Sequence, residues 1–191
     1  MRTRPILTLG DPQLRRAAAP VSLEQLALPE TQNFIDDLVG TMRGASGAGL
    51  AATQVGEMLQ ICAIEVKDNP RYPYKPNVPL TVLVNPVLTV LSDERFDNYE
   101  GCLSVPNLRG LVPRSTEVRV RALDRHGADI DVEIRGLTAG TYQHEVDHLY
   151  GVLFVDRVVD THSLCTWEQY ERHHMSGFSE FAHDLVRLWG A

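Results

Sequence analysis

Cysteine is scarce in this sequence, which has three in 191 residues: Cys62, Cys102 and Cys165. An odd, sparse set is a poor disulfide framework and is typical of proteins from a reducing compartment. Long apolar runs are also missing. The N-terminus has no apolar core of about 7–15 residues, as a secretory signal requires, and no run approaches the roughly 20 apolar residues that span a bilayer. We therefore expect a cytoplasmic protein without a membrane segment.

Positive charge is in deficit as well, with a net charge of -7. A general nucleic-acid binder usually presents a basic face, so we expect no specific nucleic-acid partner. Charged residues make up 23% of the chain and hydrophobic residues 43%, a balance that argues against global disorder. The length suits one domain over residues 1–191.

Two kinds of periodicity predict the secondary structure. Apolar residues recur every three or four positions in the predicted helices, and alternation or short apolar runs mark the strands. Strands without regular βαβ alternation favour an α+β fold, with antiparallel or mixed β-sheets surrounding a central helix. The predicted helices are 30–43 and 138–150, and the predicted strands are 59–66, 80–84, 87–91, 118–123 and 130–134.

The second predicted helix carries a candidate metal site. His144 and His148 are four residues apart, so both imidazoles project from one helix face and can bind one divalent cation. Glu145 follows the first histidine and is placed to act as a general base. The alternative is a solvated face with two surface histidines, but apolar residues such as Tyr142 and Val146 indicate a helix anchored in a core.

A catalytic site of this kind takes three protein ligands. We favour Cys102 as the third, since Gly101 before it lets the backbone bend and a thiolate in such a turn is well suited to metal. Cys62 lies mid-strand as a small apolar side chain, and Cys165 has no evident role beyond packing. Formal alternatives are Asp156, His162, His173 and His174.

A glycine-rich segment, GAGLAATQ at 47–54, superficially suggests a phosphate loop. It follows a helix rather than a strand, has no lysine and lacks the third glycine of a dinucleotide fingerprint. We interpret it as a close approach of the backbone to a ligand or to the wall of the active site. The Gln54 amide could then donate a hydrogen bond to a developing oxyanion.

Taken together, three segments resemble the peptide deformylase family. They are GAGLAATQ at 47–54, EGCLS at 100–104 and QHEVDHLYG at 143–151, in the family's order. The similarity covers most of residues 5–158, whereas the tail at 159–191 diverges. The resemblance implies removal of the N-formyl group from the initiator methionine of newly made polypeptides, with release of formate.

The resemblance also implies the site residues. The metal ligands fall on Cys102, His144 and His148, the general base and acid on Glu145, and the oxyanion donors on the Gln54 amide and the Leu103 backbone N–H. Glu100 and Asp147 are expected to orient ligands, with Arg114 as a charge partner. The substrate-binding set is expected to be Gly47, Gly49, Glu100, Gly101, Arg109, Leu137, Gly140 and Thr141.

The implied cofactor is one divalent ion per chain, ferrous iron in the cell, with zinc, nickel or cobalt as alternatives. The implied partners are formylated nascent polypeptides, with a transient ribosome contact that the divergent tail leaves open. A bacterial cytoplasm is expected, with a processed organellar form as the alternative. Because relatives carry a larger residue where Gly140 stands, we also expect an apolar methionine slot that is roomier or differently shaped.

Overall fold

The structure is a computed structural model that describes residues 2–190. Its helices and strands follow one another as α1 (Leu23–Ala27), α2 (Pro29–Gly44), β1 (Gly49–Ala51), β2 (Ile61–Val66), β3 (Val78–Val90), β4 (Arg95–Cys102), β5 (Val105–Ser115), β6 (Glu117–Leu123), β7 (Asp129–Arg135), α3 (Gly136–Leu149), β8 (Cys165–Thr166), α4 (Trp167–His173) and α5 (Met175–Trp189). Within this described part, no helix is long and apolar enough to cross a membrane.

The strands form two antiparallel sheets. One has five strands in the order β1-β2-β3-β6-β7, and the other has three in the order β4-β5-β8. Helix α3 contacts strands of both sheets and also packs on α5. The α+β fold with a central metal-binding helix is therefore confirmed, and every pairing between the named strands is antiparallel.

Strand β3 corrects the prediction of two strands at 80–84 and 87–91. The chain runs as one strand from Val78 to Val90, with a register shift between Val84 and Val87. Asn85 adopts a positive φ of 52°, a conformation that asparagine tolerates better than most residues. Its side chain bonds both backbone groups of Val21, at 2.8 and 2.7 Å. The Asn85-Pro86 pair thus makes a bulge rather than a strand end.

The hairpin of β4 and β5 was not predicted, although it carries Cys102 close to its tip. Along β4, the side chains of Phe96, Asn98, Glu100 and Cys102 are buried at every second position. That is the period of a half-buried strand, but two of the four residues are polar. A search for alternating apolar residues therefore does not detect this strand.

Helix α3 was predicted at 138–150 and lies at Gly136–Leu149. Tyr142 and Leu149 are buried, at 4% and 0% exposure, so the helix is anchored in the core as expected. Gly151 ends it with a φ of +74°. A β-carbon built on Gly151 would lie 2.6 Å from the carbonyl carbon and oxygen of Arg15. The N-terminal segment therefore passes directly over the end of the metal-binding helix.

Replacing Gly151 with alanine should destabilise the fold, because both its backbone conformation and the Arg15 backbone oppose a β-carbon. We expect the free energy of unfolding to fall by roughly 1–3 kcal/mol in urea titrations. The matched control is Gly177→Ala in α5, where a β-carbon meets nothing within 4 Å. That change should be neutral or stabilise by up to about 1 kcal/mol. Equal effects at the two positions would contradict this account of the helix end.

Candidate metal centre

Three ligand atoms converge between α3 and the β4–β5 hairpin. Cys102 Sγ lies 3.3 Å from His148 Nε2, and His148 Nε2 lies 3.2 Å from His144 Nε2. All three ligand atoms lie within 4.8 Å of one another. Two imidazole nitrogens that share a tetrahedral ion, at about 2.05 Å each, are roughly 3.3 Å apart. The observed spacing fits one divalent cation.

Glu100 fixes the orientation of His144. Its Oε2 lies 2.8 Å from His144 Nδ1, which leaves Nε2 of the ring facing the other two ligands. Arg114 in turn donates to both Glu100 oxygens, at 2.7 and 3.0 Å, and to Asp147 Oδ2 at 2.7 Å. Burial opposes ionisation of Glu100, but Arg114 and His144 outweigh it and hold its pKa well below the usual value.

The donor set favours positive charge at its centre. Burial alone would lower the pKa of His144, but Cys102 and Glu100 on either side outweigh burial and raise that pKa well above the usual value. Burial, followed by the charge on His144, lowers the pKa of His148, so this ring is neutral and able to coordinate. A divalent cation held by these residues would supply the positive charge that the thiol and carboxylate favour here.

Glu145 lies beside the ligands and is not held by an ion pair. Its side chain is buried, and Oε2 has no hydrogen-bond partner among the described residues. Burial raises its pKa to about 7. A β-carbon on Gly49 would lie 2.3 Å from Glu145 Cδ, so only glycine admits this carboxylate. The close backbone approach inferred from the glycine segment is therefore made to Glu145.

Gln54 is oriented toward the same centre. Its Oε1 accepts from the Ala51 N–H at 2.8 Å, which turns the amide NH₂ toward the ligands. Nε2 then donates to Ser104 Oγ at 3.0 Å and lies 3.4 Å from Cys102 Sγ. Leu103, the second expected oxyanion donor, follows Cys102 at the hairpin tip. Gln54 thus lies against the thiol, and Leu103 is the next residue in the chain after Cys102.

A small, partly open cavity adjoins the ligands. Six residues of the expected substrate-binding set line it: Gly47, Gly49, Glu100, Gly101, Gly140 and Thr141. Sequence reasoning did not identify four others that do so: Tyr72, Lys75, Asn98 and Tyr99. Of these, Asn98 had a signal in its sequence, since it stands two residues before Glu100 on the same strand face.

The other two expected substrate-binding residues do not themselves line this cavity. Leu137 is 1% exposed within the hydrophobic core. Arg109 is 0% exposed, and its guanidinium carbon lies 4.0 Å from the ring centroid of Trp167 and 5.0 Å from that of Tyr170. Its three guanidinium nitrogens have no hydrogen-bond partner within the described chain. The C-terminal segment, predicted to diverge, therefore covers this arginine together with Tyr72, whose ring centroid lies 4.9 Å from the guanidinium carbon.

Gly140 borders the cavity, and the expectation that it makes the methionine slot roomier or differently shaped stays a prediction. A β-carbon there would lie 3.2 Å from both Asn98 Nδ2 and Phe96 Cζ. The space opposite the glycine is thus filled by side chains of β4. Lys75, Asn98 and Thr141 contribute polar side chains to the wall of the cavity.

The remaining formal ligand candidates are engaged elsewhere or lie apart. Asp156 pairs with Arg15 and accepts from the Leu153 N–H at 2.7 Å. Cys62 is fully buried in β2, as its position between Ile61 and Ala63 indicated. Across residues 2–190, the one cluster of three or more potential ligands is Cys102, His144 and His148.

Comparisons with known proteins agree with this geometry. The family model described as polypeptide deformylase matches residues 3–163. Peptide deformylase 2 of Ralstonia nicotianae is 49% identical over 157 residues, which are 82% of this chain and 88% of the relative. Peptide deformylase 1 of Bordetella pertussis is 50% identical over 155 residues, 81% of this chain and 87% of the relative.

Solved structures are similar as well. A class I type b peptide deformylase from Acinetobacter baumannii with Met-Ala-Ser bound has a TM-score of 0.79 and 38% identity, covering 82% of this chain and 98% of that one. A peptide deformylase from Legionella pneumophila has a TM-score of 0.72 and 34% identity, covering 94% of this chain and 96% of that one. The second comparison extends into the C-terminal segment.

Replacing Glu100 with glutamine should weaken metal retention. The change removes the charge that orients His144 and leaves Arg114 without its buried partner. Loss of such a support typically lowers metal affinity about 10–100-fold, which competition with a chelator followed by elemental analysis would measure. Asp131→Asn is the matched control, because Asp131 pairs with Arg119 on the exposed surface. Metal retention equal in the two variants would refute the orienting role.

Proposed function

This chain belongs to the polypeptide deformylase family, and from that premise we propose how its own residues carry out the reaction. The activity is that of a peptide deformylase, a metallohydrolase that removes the N-formyl group from nascent peptides. Water adds to the formyl carbon, the C–N bond breaks, and formate and a free amine leave. The buried, unpaired carboxylate oxygen of Glu145 beside a three-ligand cluster is the observation that best supports this function.

We propose Cys102, His144 and His148 as the residues that hold the divalent ion. When bound, the ion supplies Lewis acidity, which acidifies a water molecule and polarises a carbonyl oxygen. Glu100 keeps His144 in the tautomer that donates from Nδ1 and presents Nε2, and Arg114 keeps Glu100 ionised. Glu100 and Arg114 thereby position the metal ligands.

Glu145 is proposed to move the proton. Its carboxylate takes a proton from the attacking water and returns it to the departing amine, so the same group serves as base and then as acid. A pKa of about 7, raised by burial, suits both roles near neutral pH. Its unpaired Oε2 makes no competing hydrogen bond that would have to break first.

Gln54 and Leu103 are proposed to stabilise the charge that grows on the formyl oxygen. The Gln54 amide is oriented by the Ala51 N–H, so its donors point at the centre before the substrate arrives. The Leu103 backbone N–H is the second donor, next to Cys102 at the hairpin tip. Donors fixed in this way need no rearrangement as charge develops, and this is how such sites lower a barrier.

Ferrous iron is our proposal for the ion in the cell, with zinc, nickel or cobalt able to replace it in the purified protein. The cluster of one thiolate and two imidazoles supports one divalent ion of soft or borderline character. The substrate is proposed to be a formylated nascent polypeptide bound in the adjoining cavity. The Acinetobacter relative has Met-Ala-Ser bound, which supports a peptide as the ligand.

The wider setting is proposed on the same basis. Bacterial relatives support a cytoplasmic protein, and residues 1–191 are proposed to act as one catalytic domain. A transient ribosome contact stays a prediction. The last helix, α5, carries Glu180 and Asp184 against Arg187, so it does not offer a basic surface for RNA.

Two other classes of protein give competing functions. A metallopeptidase that cleaves ordinary peptide bonds would share the two histidines and the glutamate, but Cys102 as third ligand argues against it. A metal-stabilised binding protein would need neither Glu145 nor the oriented Gln54. Each alternative predicts a different outcome in the two experiments that follow.

Replacing Glu145 with alanine should lower the rate of deformylation by about 10²–10⁴-fold, because the proton carrier is lost. Metal content should stay near one equivalent, since Glu145 is not proposed as a ligand. Glu133→Ala on the exposed face of β7 is the control and should match the wild type in both measurements. Loss of the metal together with activity would instead make Glu145 a ligand or a structural residue.

The substrate class can be tested with protein purified without oxygen and assayed alongside metal analysis. We expect formyl-Met-Ala-Ser to release one equivalent of formate and to leave the Met-Ala bond intact. Unformylated Met-Ala-Ser should not react. Cleavage of the unformylated peptide would favour a metallopeptidase, and metal binding without any turnover would favour a binding protein.

A further inference from the structure

The loop of residues 67–77, between β2 and β3, is fixed against the cavity. Tyr74 is 3% exposed and meets Phe178 of α5 edge-on, with 5.0 Å between ring centroids. At the other end, Asn69 Nδ2 donates to the Ser46 carbonyl at 3.0 Å and lies 3.3 Å from that of Gly47. Because both ends are held, the residue after Tyr74 has a defined position.

That residue is Lys75, and its ammonium forms part of the cavity wall. Nζ donates to Thr141 Oγ1 of α3 at 2.8 Å and lies 4.8 Å from the centroid of the Tyr72 ring. Burial lowers its pKa to about 8, while Glu100 and Glu145 oppose that shift. The lysine therefore reaches the neighbourhood of the catalytic carboxylate.

Lysine is rare in this chain. Two of its 18 lysines and arginines are lysines, Lys67 and Lys75, and both lie in this loop. Lys67 is exposed, whereas Lys75 is half-buried and points inward. An ammonium is a compact charge with three donors, and it binds a single oxygen without the planar geometry that a guanidinium requires.

The course of a bound substrate follows from the reacting groups. The formyl carbon must come to Glu145 and Cys102, which line the cavity. The first side chain of the peptide then has this same cavity to enter, and the cavity wall also includes Lys75, Thr141 and Asn98. Three hydrogen-bonding side chains therefore border the space open to that side chain.

We propose that Lys75 is a specificity-determining residue, which binds an oxygen acceptor at the tip of the substrate's first side chain. The substrate class it selects is formyl peptides whose first side chain ends in an oxygen acceptor, and methionine sulfoxide, the oxidised form of methionine, is the member of that class that keeps the methionine skeleton. Thr141 accepts one of the three ammonium donors. A sulfoxide oxygen accepts another, whereas an apolar tip displaces water and leaves that donor unpaired.

This inference rests on the proposed deformylase function and concerns which first residue that function prefers. Lys75 could instead serve only as a latch that ties the loop to α3. A latch would change stability or the rates of all substrates alike. A specificity residue changes the ratio between substrates that differ only at the tip of the first side chain.

The test uses the metal-loaded full chain and three peptides: formyl-Met(O)-Ala-Ser, formyl-Met-Ala-Ser and formyl-norleucyl-Ala-Ser. For the wild type, kcat/KM from formate release should favour the sulfoxide over norleucine by about tenfold, the worth of one charge-assisted hydrogen bond. Lys75→Met should remove most of that preference while it still deformylates the norleucine peptide. Lys67→Met, the exposed control, should keep the wild-type ratio.

Each result decides between the explanations. A wild type that prefers norleucine overturns the proposal, and this measurement needs no variant to fold. The proposal is also overturned if Lys75→Met keeps the wild-type ratio of kcat/KM between the sulfoxide and norleucine peptides. Lys75 would then serve only to tie the loop to α3. If formyl-Met-Ala-Ser is turned over but kcat/KM is the same for the sulfoxide and norleucine peptides, this inference alone is refuted. If no peptide releases formate, the proposed function itself is refuted.

Discussion

One buried guanidinium, that of Arg114, joins the two parts of the metal centre. It lies on β5 and bonds Glu100 on the neighbouring strand and Asp147 on α3. Arg114 thereby holds the hairpin that carries Cys102 in a fixed position relative to the helix that carries both histidines. Asp147 also accepts from Arg157, at 2.7 Å, so the chain beyond α3 is tied to the same network.

Such a network is costly as a means of stability alone. Moving charged groups out of water carries a penalty that their mutual attraction often only balances. Here the network instead orients a metal ligand. Ionised Glu100 fixes the tautomer of His144, and a ligand fixed before the ion arrives need not be ordered when it binds. The same geometry leaves Glu145 as the one carboxylate of the site with an unpaired buried oxygen.

The histidine pair and Glu145 could be predicted because a helix encodes its faces in sequence spacing alone. Cys102 could be predicted from its neighbours, since Gly101 and the surrounding segment distinguish it from Cys62. Strand β4 could not be predicted, because its inward face carries the polar residues Asn98 and Glu100 and therefore lacks an alternating apolar pattern.

The missed features share a physical reason, which is that they depend on tertiary contacts. Asn85 was read as a strand end, but its bonds to Val21 hold it in a bulge within β3. Lys75 lies in a loop whose course is set by Tyr74 and Asn69, and nothing in the local pattern shows where its ammonium ends. Arg109 is covered by a segment almost 60 residues further along the chain.

The cover over Arg109 links the end of the chain to the metal. A β-carbon on Gly101 would lie 2.9 Å from Arg109 Cδ, so the arginine side chain rests against the backbone next to Cys102. Trp167, at the start of α4, rests on the other side of the same guanidinium. Two contacts therefore separate a surface helix from a ligand thiolate. The packing of α4 on Arg109 thus supports the strand end that carries Cys102.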